Sequence, residues 1–312
     1  MRRILFVKTS SLGDVVHNCP AVSDVARAAP GAAIDWVVEE AFAEVAAMHA
    51  LVRRAIPVAV RRWRGAWWQP RAWSEMGAFR RALREERYDL VIDTQGLLKS
   101  ALLARMASGE RHGMDAASAR EPLAARFYDV RHAVPHGQHA VERNRQLAAA
   151  ALGSPLPAAC DYGLRAEGPP PLDLPAAYVV LLTMTSRADK LWPEAQWIEL
   201  GRRLAARGLR CVLPWGSEGE KARAARVASG IGDALVPPRM RIAELARLMR
   251  GARGVAGVDT GLTHLAAALG VPAAGIYLSS ETRLTGLHAG TRVRNLDAPD
   301  AAAVHAALEE LA

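Results

Sequence analysis

Cysteine and long apolar segments are both scarce in this chain, and each shortage limits what the protein can be. Its 312 residues include three cysteines, Cys19, Cys160 and Cys211, whose spacing is typical neither of a disulfide framework nor of a zinc site. No apolar run approaches the ~18 residues of a membrane span, and the N-terminal run that ends at Lys8 is too short for a signal-peptide core. We therefore expect a cytoplasmic protein with no structural metal.

Glycine-rich nucleotide fingerprints are missing as well. The first apolar segment, residues 4–7, runs into a loop over residues 8–14 that holds one glycine and matches neither G-x-G-x-x-G nor the P-loop pattern. A nicotinamide-dependent oxidoreductase is therefore disfavoured. The nine histidines offer no ligand set, since His136 and His139 lie three apart without cysteine or carboxylate partners.

Positive charge is present in excess and is concentrated in the first half. The formal net charge is +8 and the pI is about 9.9. Residues 1–150 hold 22 Lys and Arg against 16 Asp and Glu, whereas residues 151–312 hold 18 against 16. This asymmetry predicts an anionic partner for the first half: nucleic acid, anionic lipid or a phosphorylated substrate.

Short apolar segments alternate with helix-spaced segments, which is typical of parallel sheets covered by helices. The predicted strands are residues 4–7, 34–38, 89–92, 178–182, 209–213 and 254–258. The predicted helices are residues 21–29, 96–107, 194–207, 218–229, 262–269 and 299–311. Six prolines within residues 153–175 predict a linker. We expect an α/β protein with two Rossmann-like domains, residues 1–160 and 161–312, that face each other across a cleft. The last predicted helix could pack on either domain.

Two polar loops follow predicted strands, where open α/β sheets bind their ligands. In the first, Asp14 beside Gly13 predicts either a general base that deprotonates a hydroxyl or a helix N-cap. In the second, residues 183–193, hydroxyl groups and Lys190 suit phosphate oxygens and the charge on a leaving diphosphate.

A third loop begins at Asp259. Thr260 and Gly261 start a helix there, and its free backbone amides and positive dipole end predict a phosphate or pyrophosphate site. Asp259 and His264 add polar groups at the rim of this site. The alternative is an ordinary capped helix after a strand.

Residues 53–73 combine arginine with tryptophan. Six arginines are interleaved with four of the eight tryptophans of the chain, namely Trp63, Trp67, Trp68 and Trp73. The pattern suits a phosphorylated sugar, an anionic membrane surface or single-stranded nucleic acid. The alternative is a solvated basic loop whose tryptophans pack on the domain. Gly65 and Pro70 predict a loop or a broken helix.

These segments together resemble the bacterial ADP-heptose:lipopolysaccharide heptosyltransferases, glycosyltransferase family nine. The matching text is VKTSSLGDVVHNCPA (7–21), DWVVEEAFA (35–43), IPVAVRRWR (56–64), DTQGLLKSA (93–101), HGMDAASAREPLAARFY (112–128), QHAVERNR (138–145), DKLWPE (189–194), LPWGSEGE (213–220) and VDTGLTHLAAALG (258–270). The WVVEEAFA, RRWR and SAREPLA segments resemble the members that add the first inner-core heptose more than those that add the second.

The resemblance implies a two-domain GT-B glycosyltransferase that inverts the anomeric centre and needs neither metal nor cofactor. The donor would be ADP-L-glycero-β-D-manno-heptose. The acceptor would be the 3-deoxy-D-manno-octulosonic acid (Kdo) residue of Kdo-lipid A. It also implies peripheral contact with the anionic cytoplasmic face of the inner membrane and no nucleic-acid partner.

Site residues carry over from the resemblance by motif. Asp14 would be the base, and Lys190 with Thr260 and Gly261 would stabilise the leaving diphosphate. The remaining donor-side positions are Thr185 and Ser186 at the diphosphate, Glu220 at the ribose, Met240 at adenine, Asp259 at the heptose hydroxyls and His264, which closes the donor site. The acceptor-side positions are Arg61, Arg62, Arg64, Arg120 and Arg143. Residues 277–282 depart from the glycine–proline-containing loop of the family.

Two alternatives stay open at this point. One is a related ADP-heptose transferase with another core acceptor, which would differ in residues 53–145. The other is a non-enzymatic basic protein that binds nucleic acid through the tryptophan–arginine segment, with salt-dependent binding to any polynucleotide and no turnover.

Overall fold

The computed structural model describes residues 1–175 and 177–311, so Ala176 and Ala312, the predicted end of the second domain, lie outside the described residues. The chain divides into two compact units, Met1–Leu164 (unit 1) and Arg165–Ala312 (unit 2). Residues 153–175, all described, hold no helix, and their one strand-like pairing is a bridge from Leu164 to His49. The boundary between the units therefore falls inside the predicted linker, close to the division we expected at residue 160.

Unit 1 is built on a parallel six-stranded sheet. Its strands are β1 (Arg3–Val7), β2 (Ala33–Glu39), β3 (Val52–Val58), β4 (Arg87–Asp93), β5 (Ser108–Met114) and β6 (Val130–His132), in the order β3-β2-β1-β4-β5-β6. Its α-helices are α1 (Leu12–Val16), α2 (Cys19–Ala28), α3 (Ala43–Met48), α4 (Val60–Gly65), α5 (Pro70–Arg84), α6 (Leu98–Ala104) and α7 (Ala140–Leu152). Ile4 of β1 pairs with Ile34 and with Leu90, which places β1 between β2 and β4.

Unit 2 repeats the same architecture. Its strands are β7 (Tyr178–Leu182), β8 (Arg210–Val212), β9 (Ala234–Leu235), β10 (Gly254–Val258), β11 (Ala273–Tyr277) and β12 (Val293–Asp297), in the order β12-β11-β10-β7-β8-β9. Its α-helices are α8 (Glu194–Ala206), α9 (Glu218–Ile231), α10 (Ile242–Gly251), α11 (Gly261–Ala268), α12 (Thr282–Thr285) and α13 (Ala301–Leu311). Val304 and Leu308 of α13 belong to the core of unit 2, so the last helix packs on this unit.

The central strands of both sheets are buried on both faces, because helices cover each side. All residues of β2, β7, β10 and β11 are buried, as their near-continuous apolar sequences predict. In unit 1 the core includes Leu5, Val37 and Val91 from three neighbouring strands. In unit 2, Trp192 and Trp197 meet edge to face at 4.8 Å and add two large buried rings.

Both sheets have the 3-2-1-4-5-6 strand order of Rossmann folds, which places a switch point between the first and fourth strand of each unit. In unit 1 the loops after β1 and β4 flank this point, and in unit 2 the loops after β7 and β10 flank it. Ligands of open α/β sheets bind there, at the carboxyl ends of the strands. These four loops therefore mark where a site is expected in each unit.

The predicted α/β class with two Rossmann-like parallel sheets is confirmed. Each predicted strand and helix appears, with ends shifted by a few residues. The apolar pattern of the sequence did not predict β3, β5, β11 and β12, among others, or the helices α5, α7 and α10. Within the described part of the chain, no helix is both long enough and apolar enough to cross a bilayer.

Candidate active site

Asp14 lies in the first turn of α1, which follows β1 after the loop of residues 8–11, and Ser11 caps that helix. Asp14 Oδ2 accepts hydrogen bonds from the backbone N of Ser11 (2.8 Å) and from Ser11 Oγ (3.2 Å), which is half of a capping box. The alternative that Asp14 is itself the N-cap is therefore wrong. Arg120 Nη1 lies 3.9 Å from the same oxygen. Asp14 Oδ1 accepts no hydrogen bond from the described residues, so it is available to a substrate hydroxyl.

Gln95 ties the loop that carries Asp14 to the loop after β4. Its Oε1 accepts hydrogen bonds from the backbone N of Thr9 (2.7 Å) and from Thr9 Oγ1 (2.8 Å), and its Nε2 donates to the carbonyl of Ser10 (2.8 Å). Lys99 Nζ donates to Ser10 Oγ at 2.9 Å. The two loops at the switch point of unit 1 are thus joined by side-chain bonds.

Buried polar groups support these loops from below. Lys8 is buried, and its Nζ donates to the carbonyl of Thr94 (2.9 Å) and to Asn144 Oδ1 (3.2 Å). Burial lowers the pKa of Lys8 to about 8, while the charges of Asp14 and Asp93 act in the opposite direction. An ammonium therefore lies beneath the Asp14 loop at neutral pH.

The Asp93 carboxylate is fully buried and held by Tyr128 of a neighbouring segment. Tyr128 donates its hydroxyl to Asp93 Oδ2 at 2.7 Å, and the backbone N of Gln95 donates to Oδ1 at 2.9 Å. Gly113 leaves space for the ring, since a Cβ there would lie 2.2 Å from Tyr128 Cε2. Burial raises the pKa of Asp93, and the bonds from Tyr128 and Gln95 act in the opposite direction.

The five predicted acceptor-side arginines are placed differently from one another. Arg120 reaches Asp14, and Arg61 lies with its guanidinium 5.9 Å from the centroid of the Phe42 ring. Arg143 donates from Nη2 to the carbonyl of Ser118 at 2.6 Å, whereas its buried Nε has no partner among the described residues. Burial, together with the charge of Arg120, lowers the pKa of Arg143.

Arg62 and Arg64 differ from the other three. Arg62 is engaged in ion pairs with Glu40 (3.0 Å) and Glu75 (2.6 Å), which satisfy most of its donors. Arg64 is exposed at the end of α4. Arg120 therefore lies beside Asp14, whereas the ion pairs of Arg62 attach α4 to Glu40 and Glu75.

In unit 2, Asp259 follows β10 and is the centre of a buried polar cluster. Its Oδ2 accepts hydrogen bonds from Lys190 Nζ (2.5 Å) and Ser280 Oγ (2.5 Å), and its Oδ1 lies 3.4 Å from His264 Nε2. Burial alone would raise the pKa of Asp259, but the bonds from His264, Lys190 and Ser280 hold it well below its usual range. Asp259 is thus a permanent anion that fixes Lys190 and His264.

Thr185 and the loop after β11 complete this cluster. Thr185 Oγ1 donates to the carbonyl of Asp259 at 3.2 Å, joining the loops after β7 and β10 at the switch point. Ser279 Oγ donates to Asp189 at 2.8 Å, and Asp189 also pairs with Arg187 at 2.6 Å. Ser186 is exposed beside them. Three loops are therefore cross-linked around Asp259.

The helix α11 begins beside this cluster, with Thr260 at its N-cap and no side-chain cap bond from it. The first amides of an α-helix have no intrahelical acceptor, so those of Gly261 and Leu262 remain to bind an anion. Gly257 brings α11 close to β10: a Cβ there would lie 2.2 Å from Thr263 Oγ1 and 3.0 Å from Leu182 Cβ. The arrangement offers an ammonium, hydroxyls and helix amides to one negatively charged ligand.

Similarity to known proteins identifies the family. The model of glycosyltransferase family 9 (heptosyltransferase) matches residues 76–305. The chain belongs to glycosyltransferase family 9. It is 51% identical over 293 residues to lipopolysaccharide heptosyltransferase 1 of Pseudomonas aeruginosa, covering 93% of this chain and 82% of that protein.

Two solved structures extend the similarity to three dimensions. The heptosyltransferase WaaC of E. coli with ADP has a TM-score of 0.93 and 46% identity, covering 99% of this chain and all of that one. The same enzyme with ADP-2-deoxy-2-fluoro heptose has a TM-score of 0.87 and 44% identity, with the same coverage. The GT-B fold class and the glycosyltransferase class predicted for this heptosyltransferase are confirmed.

Two predicted donor-side residues lie apart from the Asp259 cluster in the chain. Glu220 lies in the first turn of α9, where its Oε2 accepts hydrogen bonds from the backbone N of Gly216 (2.6 Å) and of Ser217 (3.2 Å). This is a capping box with Ser217 as N-cap. Met240 is half-buried in the loop before α10. Both follow strands of the same sheet, β8 and β9, so both lie toward its carboxyl edge.

The sequence alone predicted no role for Lys99, Gln95 or Ser280. All three lie in loops or helix starts after β4 or β11. The rule that ligands bind at the carboxyl ends of parallel strands, which pointed to Asp14 and Asp259, applies to them as well. Gln95 and Lys99 lie in the DTQGLLKSA segment, which the analysis used only for resemblance. Ser280 lies in the loop that departs from the family pattern, so the resemblance could not supply its role.

Proposed function

We propose that this chain transfers L-glycero-D-manno-heptose from ADP-heptose to the Kdo residue of Kdo-lipid A, in the inner core of lipopolysaccharide. The similarity to lipopolysaccharide heptosyltransferase 1 over 93% of the chain supports the reaction class. The observation that carries the proposal is that Asp14 and the Lys190–Asp259 cluster occupy the switch points of the two sheets. Each unit thus offers the groups that one half of this reaction needs.

On the donor side, Lys190 and α11 bind the diphosphate. The ammonium has three donors and Asp259 uses one, so two remain for phosphate oxygens. The start of α11 at Thr260 and Gly261, with its free amides, adds the positive end of the helix dipole. Thr185 and Ser186 supply hydroxyls. This charge stabilises the transition state most, because the diphosphate gains negative charge as it leaves.

The other donor-side residues bind the sugar and the nucleoside. Asp259, which the cluster keeps ionised, accepts from heptose hydroxyls, and His264 closes the donor site. Glu220 binds the ribose and Met240 contacts adenine. Glu220 has an additional structural task in the capping box of α9.

On the acceptor side, Arg61, Arg64, Arg120 and Arg143 bind the Kdo carboxylate and lipid A phosphates. Arg143 is the best placed for a buried anion, because its desolvated Nε finds no hydrogen-bond partner in the described part of the chain. Arg62 contributes mainly by fixing α4 through Glu40 and Glu75. The excess positive charge of unit 1 matches an acidic acceptor.

Asp14 takes the proton from the attacking Kdo hydroxyl. The hydroxyl oxygen then bonds to the anomeric carbon of the heptose, while the bond from that carbon to the diphosphate breaks and ADP leaves with its electron pair. A single displacement inverts the anomeric centre and needs one carboxylate, no metal and no cofactor. Attack by this route is supported by Asp14 Oδ1, which accepts no hydrogen bond among residues 1–175 and 177–311 and can take the proton.

The test is release of ADP from ADP-heptose by the purified chain in the presence of a chelator. Release that requires Kdo-lipid A lacking heptose, with a product of inverted anomeric configuration by NMR, is the expected result. Release only with an acceptor that already carries the first heptose would move the assignment to a related transferase. The absence of donor binding would contradict the proposal altogether.

We also place the working enzyme at the cytoplasmic face of the inner membrane, in peripheral contact with anionic lipid and without a nucleic-acid partner. The support is the chemistry of the acceptor, a lipid, together with the net charge of +8.

A further inference from the structure

Three tryptophans stand exposed where α4 is followed by α5. Trp67, Trp68 and Trp73 are 63%, 64% and 62% exposed, whereas Trp36 of the same unit is fully buried. The rings of Trp67 and Trp68 meet edge to face at 6.2 Å, and Trp73 Nε1 donates to the carbonyl of Trp67 at 2.8 Å. The side chain of Arg71 between them is 83% exposed. We call Trp67, Trp68, Arg71 and Trp73 the Trp–Arg surface.

The fourth tryptophan of the segment shows that this exposure is built into the fold. Trp63 packs edge to face on Phe79 at 6.0 Å, and its Nε1 donates to Glu75 Oε2 at 2.9 Å. Glu75 also pairs with Arg62 and Arg71, and these bonds lower its pKa to about 2. The segment is therefore pinned to α5 on its inner side, and the other three rings are held outside.

The chemistry of this surface fits the interface of an anionic bilayer. Contiguous exposed apolar groups are unfavourable in water, and indole rings with a polar N–H concentrate at the level of lipid headgroups. Residues 60–84 hold seven arginines and one carboxylate, Glu75. Each basic residue near an anionic membrane surface adds to the attraction between the protein and the lipid headgroups. Single-stranded nucleic acid fits less well, because Trp67 and Trp68 are inclined at 82° and offer no parallel faces for successive bases.

The position of the surface relates it to the site in unit 1. The chain passes from the carboxyl end of β3 at Val58 into α4, and it passes from the carboxyl end of β1 into the loop of Asp14. Carboxyl ends of parallel strands share one edge of a sheet, so both features leave the sheet from the same edge. Leu51, 46% exposed, precedes β3 and lies at the opposite edge.

We infer that the Trp–Arg surface docks this heptosyltransferase on an anionic phospholipid bilayer and thereby holds the Asp14 edge of unit 1 toward a membrane-embedded acceptor. The tryptophans insert at headgroup depth, while Arg71 and its basic neighbours pair with lipid phosphates. The membrane docking stands by itself, whereas the orientation of the Asp14 edge toward the acceptor rests on the proposed function.

The first test is sedimentation of the full chain with vesicles of phosphatidylethanolamine and phosphatidylglycerol, compared with phosphatidylcholine alone. The unchanged chain binds the anionic vesicles. The W67S/W68S/W73S variant should lower the vesicle partition coefficient at least tenfold, and Leu51→Ser should change it less than twofold, with both variants unfolding thermally like the parent chain. Binding by the triple variant equal to that of the parent overturns the inference. The inference is also overturned if the triple variant still binds vesicles but has lost self-association, or has lost binding to a 20-nucleotide oligothymidine.

The second test separates docking from chemistry. With a water-soluble Kdo acceptor that lacks acyl chains, the triple variant should turn over like the parent chain. With Kdo-lipid A in vesicles, its KM should rise at least tenfold at unchanged kcat. Equal loss on both acceptors overturns the docking role. If no form of the protein turns over either acceptor, the proposed function fails, while the vesicle partition coefficient still decides whether the Trp–Arg surface binds membranes.

Discussion

At the scale of single residues, Asp14 and Asp259 show how environment divides the work of two carboxylates. Asp259 is buried and receives bonds from Lys190, Ser280 and His264, so it remains ionised and positions its donors. Asp14 lies in the first turn of a short helix, with one oxygen bonded and the other accepting no hydrogen bond from the residues that the structure describes. Only the second arrangement leaves a lone pair for proton transfer.

Replacing Asp14 by asparagine tests that role. We expect kcat to fall by about 10²–10⁴-fold with donor affinity unchanged, because the amide keeps the shape but cannot accept the proton. Asp129→Asn is the matched control, since Asp129 precedes β6 at the other edge of the same sheet and pairs with Arg111. Rates are measured by ADP release and donor affinity by calorimetry. Near-parental turnover of the Asp14→Asn variant would exclude Asp14 as the base.

The buried Lys8 predicts a dependence of stability on pH. Its pKa is about 8 in the folded state and about 10.4 in an unfolded chain, so between these values the unfolded state binds more protons and stability rises with pH. Below pH 8 the cost of burying the charge is fully present. Relative to the parent chain, Lys8→Met should remove a rise of about 3 kcal/mol between pH 8 and pH 10.4. Urea unfolding across this range measures it, and parallel curves for the two proteins would contradict the assignment.

At the scale of elements, the start of α11 depends on how closely that helix packs on β10. Gly257 permits this packing, because Thr263 and Leu182 occupy the space that a Cβ would need. Thr263 also donates to the carbonyl of Val258 at 2.8 Å. The position of the helix amides is thus set by a glycine in the preceding strand.

Gly257→Ala should therefore destabilise the protein by about 1–3 kcal/mol and weaken ADP binding, because the added methyl displaces α11. Gly219→Ala in α9 is the control, since a Cβ at Gly219 meets nothing within 4 Å. Chemical unfolding and ADP titration report the two effects. Full stability with weakened binding would show that the strain is confined to the loop.

The capping box of α9 separates two roles for Glu220. Ser217→Ala removes the cap and should cost about 1 kcal/mol of stability while leaving the KM for ADP-heptose unchanged. Glu220→Gln retains the size of the side chain and should raise that KM, since an uncharged amide binds ribose hydroxyls less well. Equal effects of both substitutions on KM would assign Glu220 to the helix alone.

At the scale of the whole molecule, the two units share one strand order but differ in net charge and in the polar groups at the ends of their strands. Unit 1 carries more of the excess positive charge, and unit 2 carries Lys190, hydroxyls and helix amides suited to a nucleoside diphosphate. A ligand that binds one folded unit stabilises that unit by mass action. The division of labour therefore has a thermodynamic signature.

We expect ADP at 100 times its dissociation constant to stabilise the folded state of unit 2 by about 2.7 kcal/mol. In calorimetry this appears as an upward shift of the transition that belongs to unit 2, and Lys190→Ala should reduce the shift. The shift should survive a chelator. A shift that disappears with the chelator would show that ADP binds through a metal ion.

Much of this protein could be predicted from its sequence. The alternation of apolar strands with helical segments determines the class of fold, because buried parallel strands must be apolar throughout and must be covered by helices. The rule that ligands bind at the carboxyl ends of parallel strands then identified Asp14, Lys190 and Asp259, since each lies in a loop or helix start that comes after a strand. Less regular strands such as β3 and β12, with their exposed arginines, escaped detection because they lie at sheet edges where period and burial are weak.

The pairing of groups distant in sequence was decided only by the tertiary structure. Ser280 meets Asp259, and Gln95 meets Ser10, because parallel strands bring separate loops to one edge. The same holds for the tryptophans of the segment that runs from α4 into α5, of which Trp63 packs on Phe79 and Trp67 is exposed. Composition shows that such side chains are present. Which of them are paired, buried or free depends on what the folded chain places beside each one.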